Sequence, residues 1–235
     1  MNVINPMSDV RNLRFSVTDN EEVSALLLSP PHATCLLVLA HGAGAGMNHP
    51  FMSAIANQLA EDNVATFRYQ FPYMEHRRGV PDKQPLLTAT VAAAVATAAQ
   101  LTPGLPLFAG GKSMGGRMTS LAASEQKLEA VRGLIFFGFP LHPPKRPSIK
   151  RAQHLQLVKL PMLFLQGTRD DLADLTLLRP ICESLGPQTT LHIIQGADHS
   201  FHVLKRSGKT DSQVLAELSS TVKAWTTAHG AETSK

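Results

Sequence analysis

A chain of 235 residues, 43% hydrophobic and 17% charged, is long enough to bury one sizeable core and is read as a single domain, 1–235, of globular type. Its formal net charge of +4 is too small to demand a nucleic-acid partner, and no apolar run approaches the roughly 20 residues of a membrane span, so neither nucleic acid nor membrane is expected. The opening Met1 to Pro6 lacks a basic stretch followed by an apolar core, and Cys35 and Cys182 each lie in an apolar run as small hydrophobes rather than a disulfide; the expected compartment is cytoplasmic.

Arg11 to Val17 alternates weakly and Val23 to Leu28 is apolar, with Asp19-Asn20 between them as turn residues, which predicts an N-terminal hairpin. Pro30-Pro31 then breaks the chain. Cys35 to Ala40 is apolar throughout, the mark of a strand buried on both faces, and it runs into the loop His41-Gly42-Ala43-Gly44-Ala45-Gly46. Pro50 suits a first helical position, and Phe51, Ile55 and Leu59 recur every four residues up to Glu61-Asp62-Asn63. Val64 to Phe71 reads as a strand, Pro72 to Pro85 as a charged loop, and the alanine-rich Leu86 to Leu101 as a helix stopped by Pro103-Gly104.

Leu107 to Gly110 is a short apolar run closing in Gly111-Lys112-Ser113-Met114-Gly115, after which Arg117 to Ala123 has helical character. Val131 to Phe139 predicts another strand. The stretch 140–159 holds four prolines and a basic cluster, and reads as a long loop or small lid over one end of the sheet. Met162 to Gln166 and Thr189 to Ile194 read as strands around a helix over Leu172 to Leu185. Val214, Leu218, Val222 and Trp225 mark one face of a C-terminal helix starting near Asp211 or Ser212, and 228–235 is expected to be a flexible tail. Strands alternating with helices in this way imply an α/β fold with a mainly parallel sheet and helices on both faces.

Gly111, Ser113 and Gly115 form a Gly-x-Ser-x-Gly pattern between a strand and a helix. In that context the pattern means a nucleophile elbow, a serine in a strained turn whose neighbours lack side chains. Gly111-Lys112-Ser113 also looks like the end of a phosphate-binding loop, but Pro106 stands where that loop needs its first glycine. An activated serine needs a base, and the base a carboxylate to orient it, following in the order acid then histidine at strand ends. Asp170 in Gly167-Thr168-Arg169-Asp170 and His199 in Gly196-Ala197-Asp198-His199 stand in that order. Asp171 and Asp174 compete for the acid but read as turn or capping residues; His202 is the rival base, and His192 lies in mid-strand. Charge developing on a substrate carbonyl oxygen needs backbone N–H donors, assigned to Ala43 and to Met114, the residue after the nucleophile.

Together these segments resemble an α/β-hydrolase of the dienelactone-hydrolase-like branch. The closest resemblance is to the small family of testis-expressed protein thirty and a related histone-acetyltransferase complex subunit. Met47 to Phe51 and Phe67 to Tyr73 share in the likeness, which runs from about Leu28 to His202. The resemblance implies the α/β-hydrolase fold with at most a small lid, and Ser113, Asp170 and His199 as triad by position. It further implies a carboxylesterase-like serine hydrolase that cleaves an ester or related acyl bond through an acyl-enzyme. Dienelactone hydrolases proper carry a cysteine at the elbow, so Ser113 implies no dienelactone substrate. Because the family includes complex subunits, the alternative is a hydrolase-fold interaction module with little or no catalysis, docking a protein partner through Lys145, Arg146, Lys150, Arg151 and Lys159.

The expected partner is thus a small-molecule acyl substrate, with no cofactor; the ten histidines show no metal-ligand spacing, so no metal is expected. Lys112 is expected to leave the elbow in another direction and serve structure, Arg68 to brace the loops around the site, and His49 to reach the pocket mouth or cap a helix. Acyl chain length and oligomeric state are not legible.

Overall fold

The computed structural model describes residues 10–230. Eight strands form one sheet: β1 (Val10–Thr18), β2 (Glu21–Leu28), β3 (Cys35–Ala40), β4 (Val64–Tyr69), β5 (Leu107–Lys112), β6 (Val131–Phe137), β7 (Met162–Gly167) and β8 (Thr189–Ile194). Their order across the sheet is β1-β2-β4-β3-β5-β6-β7-β8. The hairpin β1–β2 and the pair β2–β4 are antiparallel, and every pairing from β4 to β8 is parallel.

The helices are α1 (Pro50–Glu61), α2 (Pro72–Glu75), α3 (Gln84–Leu101), α4 (Met114–Ser124), α5 (Leu175–Ser184) and α6 (Asp211–Gly230). Strand β3 is apolar and buried at every position because both its faces are covered. In β3, Leu36, Val38 and Ala40 join the core under α3, α4 and α5, whereas Cys35, Leu37 and Leu39 join the core under α1 and α6. β6 divides in the same way, Leu134 and Phe136 to one side and Ile135 and Phe137 to the other. This is the α/β-hydrolase arrangement expected from the sequence.

One feature of the strand order positions the site. From β3 the chain crosses to β4 on one side, then returns past β3 to lay β5 on the other. The loops after β3 and β5 therefore lead away in opposite directions, opening a crevice at the carboxyl ends of these two strands. Ser113 stands at that crevice, immediately after β5.

Several boundaries differ from expectation. The segment read as a loop from Pro72 contains α2, with Pro72 in its first turn and the Tyr73 N–H held by Asp82 Oδ2 at 2.8 Å. Within 140–159 lies a 3-10 helix, Lys150–Leu157, that buries Ala152 and Leu155. Helix α5 starts at Leu175 rather than Leu172, because Asp174 caps it by accepting from Thr176 N at 2.8 Å. β6 stops at Phe137, since Gly138 follows with φ of 70°. Helix α3 is by length and composition apolar enough to pass for a membrane span, contrary to the absence of such a run inferred from the sequence; its Val91, Ala94, Val95 and Ala98 are buried in the core. Positions 228–230 of the expected tail are helical; 231–235, and the opening Met1 to Pro6 on which the cytoplasmic expectation rested, lie outside the described residues.

Candidate active site

Ser113 occupies a backbone conformation that side chains rarely adopt, φ 51° and ψ −117°. Such a conformation costs of order 1–3 kcal/mol and persists only when the surroundings over-determine it. Here they do. Ser113 N–H donates to Phe137 O at 3.1 Å, and Ser113 O accepts from Arg117 N at 3.1 Å in the first turn of α4. A Cβ on Gly111 or on Gly115 would run into the Ala40 carbonyl, so only glycine lets the turn press this closely on β3. The result is a half-buried hydroxyl raised above the sheet end.

Two turns at neighbouring strand ends meet it. His199, in the loop after β8, places Nε2 2.9 Å from Ser113 Oγ. Its Nδ1 lies 2.7 Å from Asp170 Oδ2 in the turn after β7. A carboxylate can only accept, so Nδ1 carries the hydrogen and Nε2 is left with a lone pair for the serine hydroxyl. The Asp170 side chain is fully buried, whereas 22% of the His199 side chain remains exposed. Asp170 is itself held in place: Oδ1 accepts from Leu172 N at 2.8 Å, and Oδ2 also accepts from Gln166 Nε2. The arrangement can draw a proton from Ser113 into the imidazole while an oriented carboxylate stabilises the imidazolium.

The loop after β3 lies against the serine. A Cβ on Gly42 would stand 3.7 Å from Ser113 Cβ, so the backbone of this loop borders Ser113. Buried His41 holds it there: Nδ1–H donates to Gly42 O at 2.7 Å and Nε2 accepts from Phe71 N at 3.1 Å. Burial pushes the His41 pKa down to about 4, so the neutral tautomer demanded by these two bonds is kept. Tyr73 Oη takes the Gly44 N–H at 3.0 Å. Among the described residues the Ala43 and Met114 N–H groups have no acceptor, and are free to donate to a ligand oxygen.

The other nominated residues are distributed differently. Asp174 caps α5, Asp171 is exposed, His202 pairs with Asp211 at 2.8 Å, and His192 lies 3.2 Å from Glu217, so none of them joins Ser113. His49 caps α1 by accepting from Phe51 N at 3.3 Å. Arg68 Nη1 donates to Met47 O at 3.1 Å and Ser53 Oγ at 3.0 Å, bracing the segment that follows the Gly42 loop. Lys145, Arg146, Lys150 and Lys159 are exposed and Arg151 half-buried. Among the described residues no group of three or more His, Cys, Asp or Glu is placed to hold a metal.

Two residues escaped the sequence reading. Gln166 is fully buried and ties Asp170 to the backbone, donating to its carboxylate and accepting from Phe139 N at 3.0 Å. Its signal was a lone amide ending the apolar run of β7. Lys112 does not turn away from the site: its Nζ borders the same space at Gly138 as Asp170 Oδ2 and His199 Nδ1.

Residues 33–227 match the family described as alpha/beta hydrolase domain. Among solved structures, the chain is similar to dienelactone hydrolase from Anabaena variabilis, at 21% identity and a TM-score of 0.76 over 96% of this chain and 100% of that one. It is also similar to XC6422 from Xanthomonas campestris, described as an a/b serine hydrolase without lid (21%, TM-score 0.70, 93% and 95% covered). A third likeness is to the Pyrococcus furiosus esterase PF2001 (14%, TM-score 0.72, 95% and 92% covered).

Proposed function

Because the chain belongs to the alpha/beta hydrolase domain family, we propose that it is a serine hydrolase of carboxylic esters or related acyl compounds, with Ser113 as nucleophile, His199 as base and Asp170 as orienting acid. The observation that carries this reading is the unbroken relay from Ser113 Oγ through His199 to Asp170, set on a strained elbow. In the first step Ser113 Oγ attacks the substrate carbonyl carbon and its proton passes to His199 Nε2. The carbonyl oxygen becomes an oxyanion, taken up by the N–H groups of Ala43 and Met114. As the tetrahedral adduct collapses, the same proton goes from Nε2 to the leaving alkoxide. Water then loses a proton to Nε2, attacks the acyl-enzyme, and the reverse transfer frees Ser113.

Acyl selectivity is assigned to pocket walls contributed by Pro72 to Pro85 and Pro140 to Lys159. The narrower kinship with the family of testis-expressed protein thirty belongs to the same proposal, supported by the segments 47–51 and 67–73. A panel of p-nitrophenyl esters from acetate to decanoate tests the reading. Turnover of at least one ester, lost on Ser113→Ala with the fold intact by circular dichroism, supports it; no turnover across the panel, or turnover that survives Ser113→Ala, overturns it.

A further inference from the structure

Behind the relay lies a charge that the proposed reaction steps do not use. Lys112 is the last residue of β5, and its ammonium is buried with no hydrogen-bond acceptor among the described residues. It lies against two rings, 5.9 Å from the centroid of Phe51 on α1 and 5.5 Å from that of Phe201 in the loop after β8. Those rings stack on each other at 5.6 Å and 17°. A methyl group built on Gly138 would touch three atoms at once, Lys112 Nζ at 3.2 Å, Asp170 Oδ2 at 3.4 Å and His199 Nδ1 at 3.4 Å. The amine therefore borders the same small space at Gly138 as the imidazole and the carboxylate, without a hydrogen bond to either.

We propose that Lys112 is a positioning residue for this site: its buried ammonium opposes the field of Asp170 at His199, and so keeps the imidazole in its free-base form at lower pH than the carboxylate alone would allow. An ion pair with Asp170 would spend the charge on one partner. A cation seated against aromatic rings instead acts on both members of the relay through a medium of low polarity. A fixed positive charge in such a medium disfavours a second positive charge close by. Among the described residues, the charged and titratable groups near the amine are Asp170 after β7, and Asp198 and His199 after β8, while α1 brings the Phe51 ring. Burial lowers the Lys112 pKa to about 8, with Asp170 and Asp198 pulling the other way. The ammonium is thus present at neutral pH and fades above it.

As an influence on rate, this role rests on the reading of Ser113 as nucleophile; as an influence on His199 ionisation it does not. The experiment is an NMR titration of His199 in full-length Ser113→Ala protein, with Lys112 intact, changed to Met, or changed to Arg. Lys112→Met is expected to raise the His199 midpoint by about one pH unit, while Lys112→Arg, which keeps the charge, leaves it nearly in place. Equal midpoints in all three, or equal shifts in Met and Arg, overturn the proposal. Should Lys112→Met fail to fold, the Lys112-intact protein decides: His199 resonances must show a second inflection coincident with the titration of the Lys112 amine, followed separately by NMR, and its absence overturns the proposal. If no ester is turned over but the midpoint moves as expected, the proposed function fails while the coupling stands.

Discussion

Among the described residues are two serine–histidine contacts of nearly equal length, and only one has the surroundings expected of a nucleophile. Ser113 Oγ meets His199 Nε2 at 2.9 Å, and Ser120 Oγ meets His154 Nε2 at 2.7 Å. Ser120 sits in regular α4 and donates its hydroxyl hydrogen to Arg117 O at 2.9 Å, which leaves its oxygen to accept from the imidazole. That is the reverse of what activation needs. His154 faces the Arg117 charge and no carboxylate pairs with it; burial and that charge push its pKa down to about 4. Ser113 differs in every respect: a strained backbone, a carboxylate behind the imidazole, free N–H groups alongside. Reactivity therefore follows from what holds the pair, since distance alone does not separate the two.

Removing the support from the first pair gives the largest expected effect. Asp170→Asn leaves the contact between Ser113 and His199 in place but disturbs the tautomer that makes Nε2 an acceptor; kcat on the best ester falls about 10⁴-fold, with the melting curve little changed. Steady-state kinetics on the variant measures this, and retention of more than a tenth of the rate breaks the comparison.

Next in size is the response to acid. His41 and His154 both have pKa values held near 4 by burial. An unfolded imidazole takes up its proton near pH 6.5, so between about pH 6.5 and 4 the unfolded chain binds protons that the folded one refuses. Unfolding free energy accordingly falls as pH drops through that window, by about 3 kcal/mol for His41, and by less for the partly exposed His154. Urea titrations at pH 7 and 4.5 should show the fall become shallower in His154→Leu, with esterase rate at pH 7 unaltered.

The smallest effect sharpens the contrast from the other side. Ser120→Ala removes both hydrogen bonds of the Ser120 hydroxyl, to Arg117 O and with His154, at a cost of about 2 kcal/mol in stability, and changes kcat less than twofold. A large loss of rate in a folded Ser120→Ala protein would mean that the second contact takes part in chemistry after all.

The strands were legible in the sequence because burial on both faces leaves unbroken apolar runs, as in Cys35 to Ala40. Helices α1 and α6 were legible from their repeating apolar faces. Helix α2 was not, being four residues long and so too short to show a period. The 3-10 helix carried a signal that was passed over: Ala152, Leu155 and Val158 recur every three residues and are all buried. At the site, Ser113, Asp170 and His199 could be nominated from order and strand ends. The direction of the Lys112 side chain could not, because the rings that seat it, Phe51 and Phe201, come from distant parts of the chain. Gln166 was likewise hidden, since its partners Asp170 and Phe139 meet only when adjacent strand ends are brought together.

The contrast between the two serines is tested most directly by treating the folded protein with a fluorophosphonate and mapping the labelled peptide. Attachment at Ser113 alone, abolished by prior unfolding, is the predicted result. Attachment at Ser120 or another serine, or no attachment to the folded protein, would contradict the account.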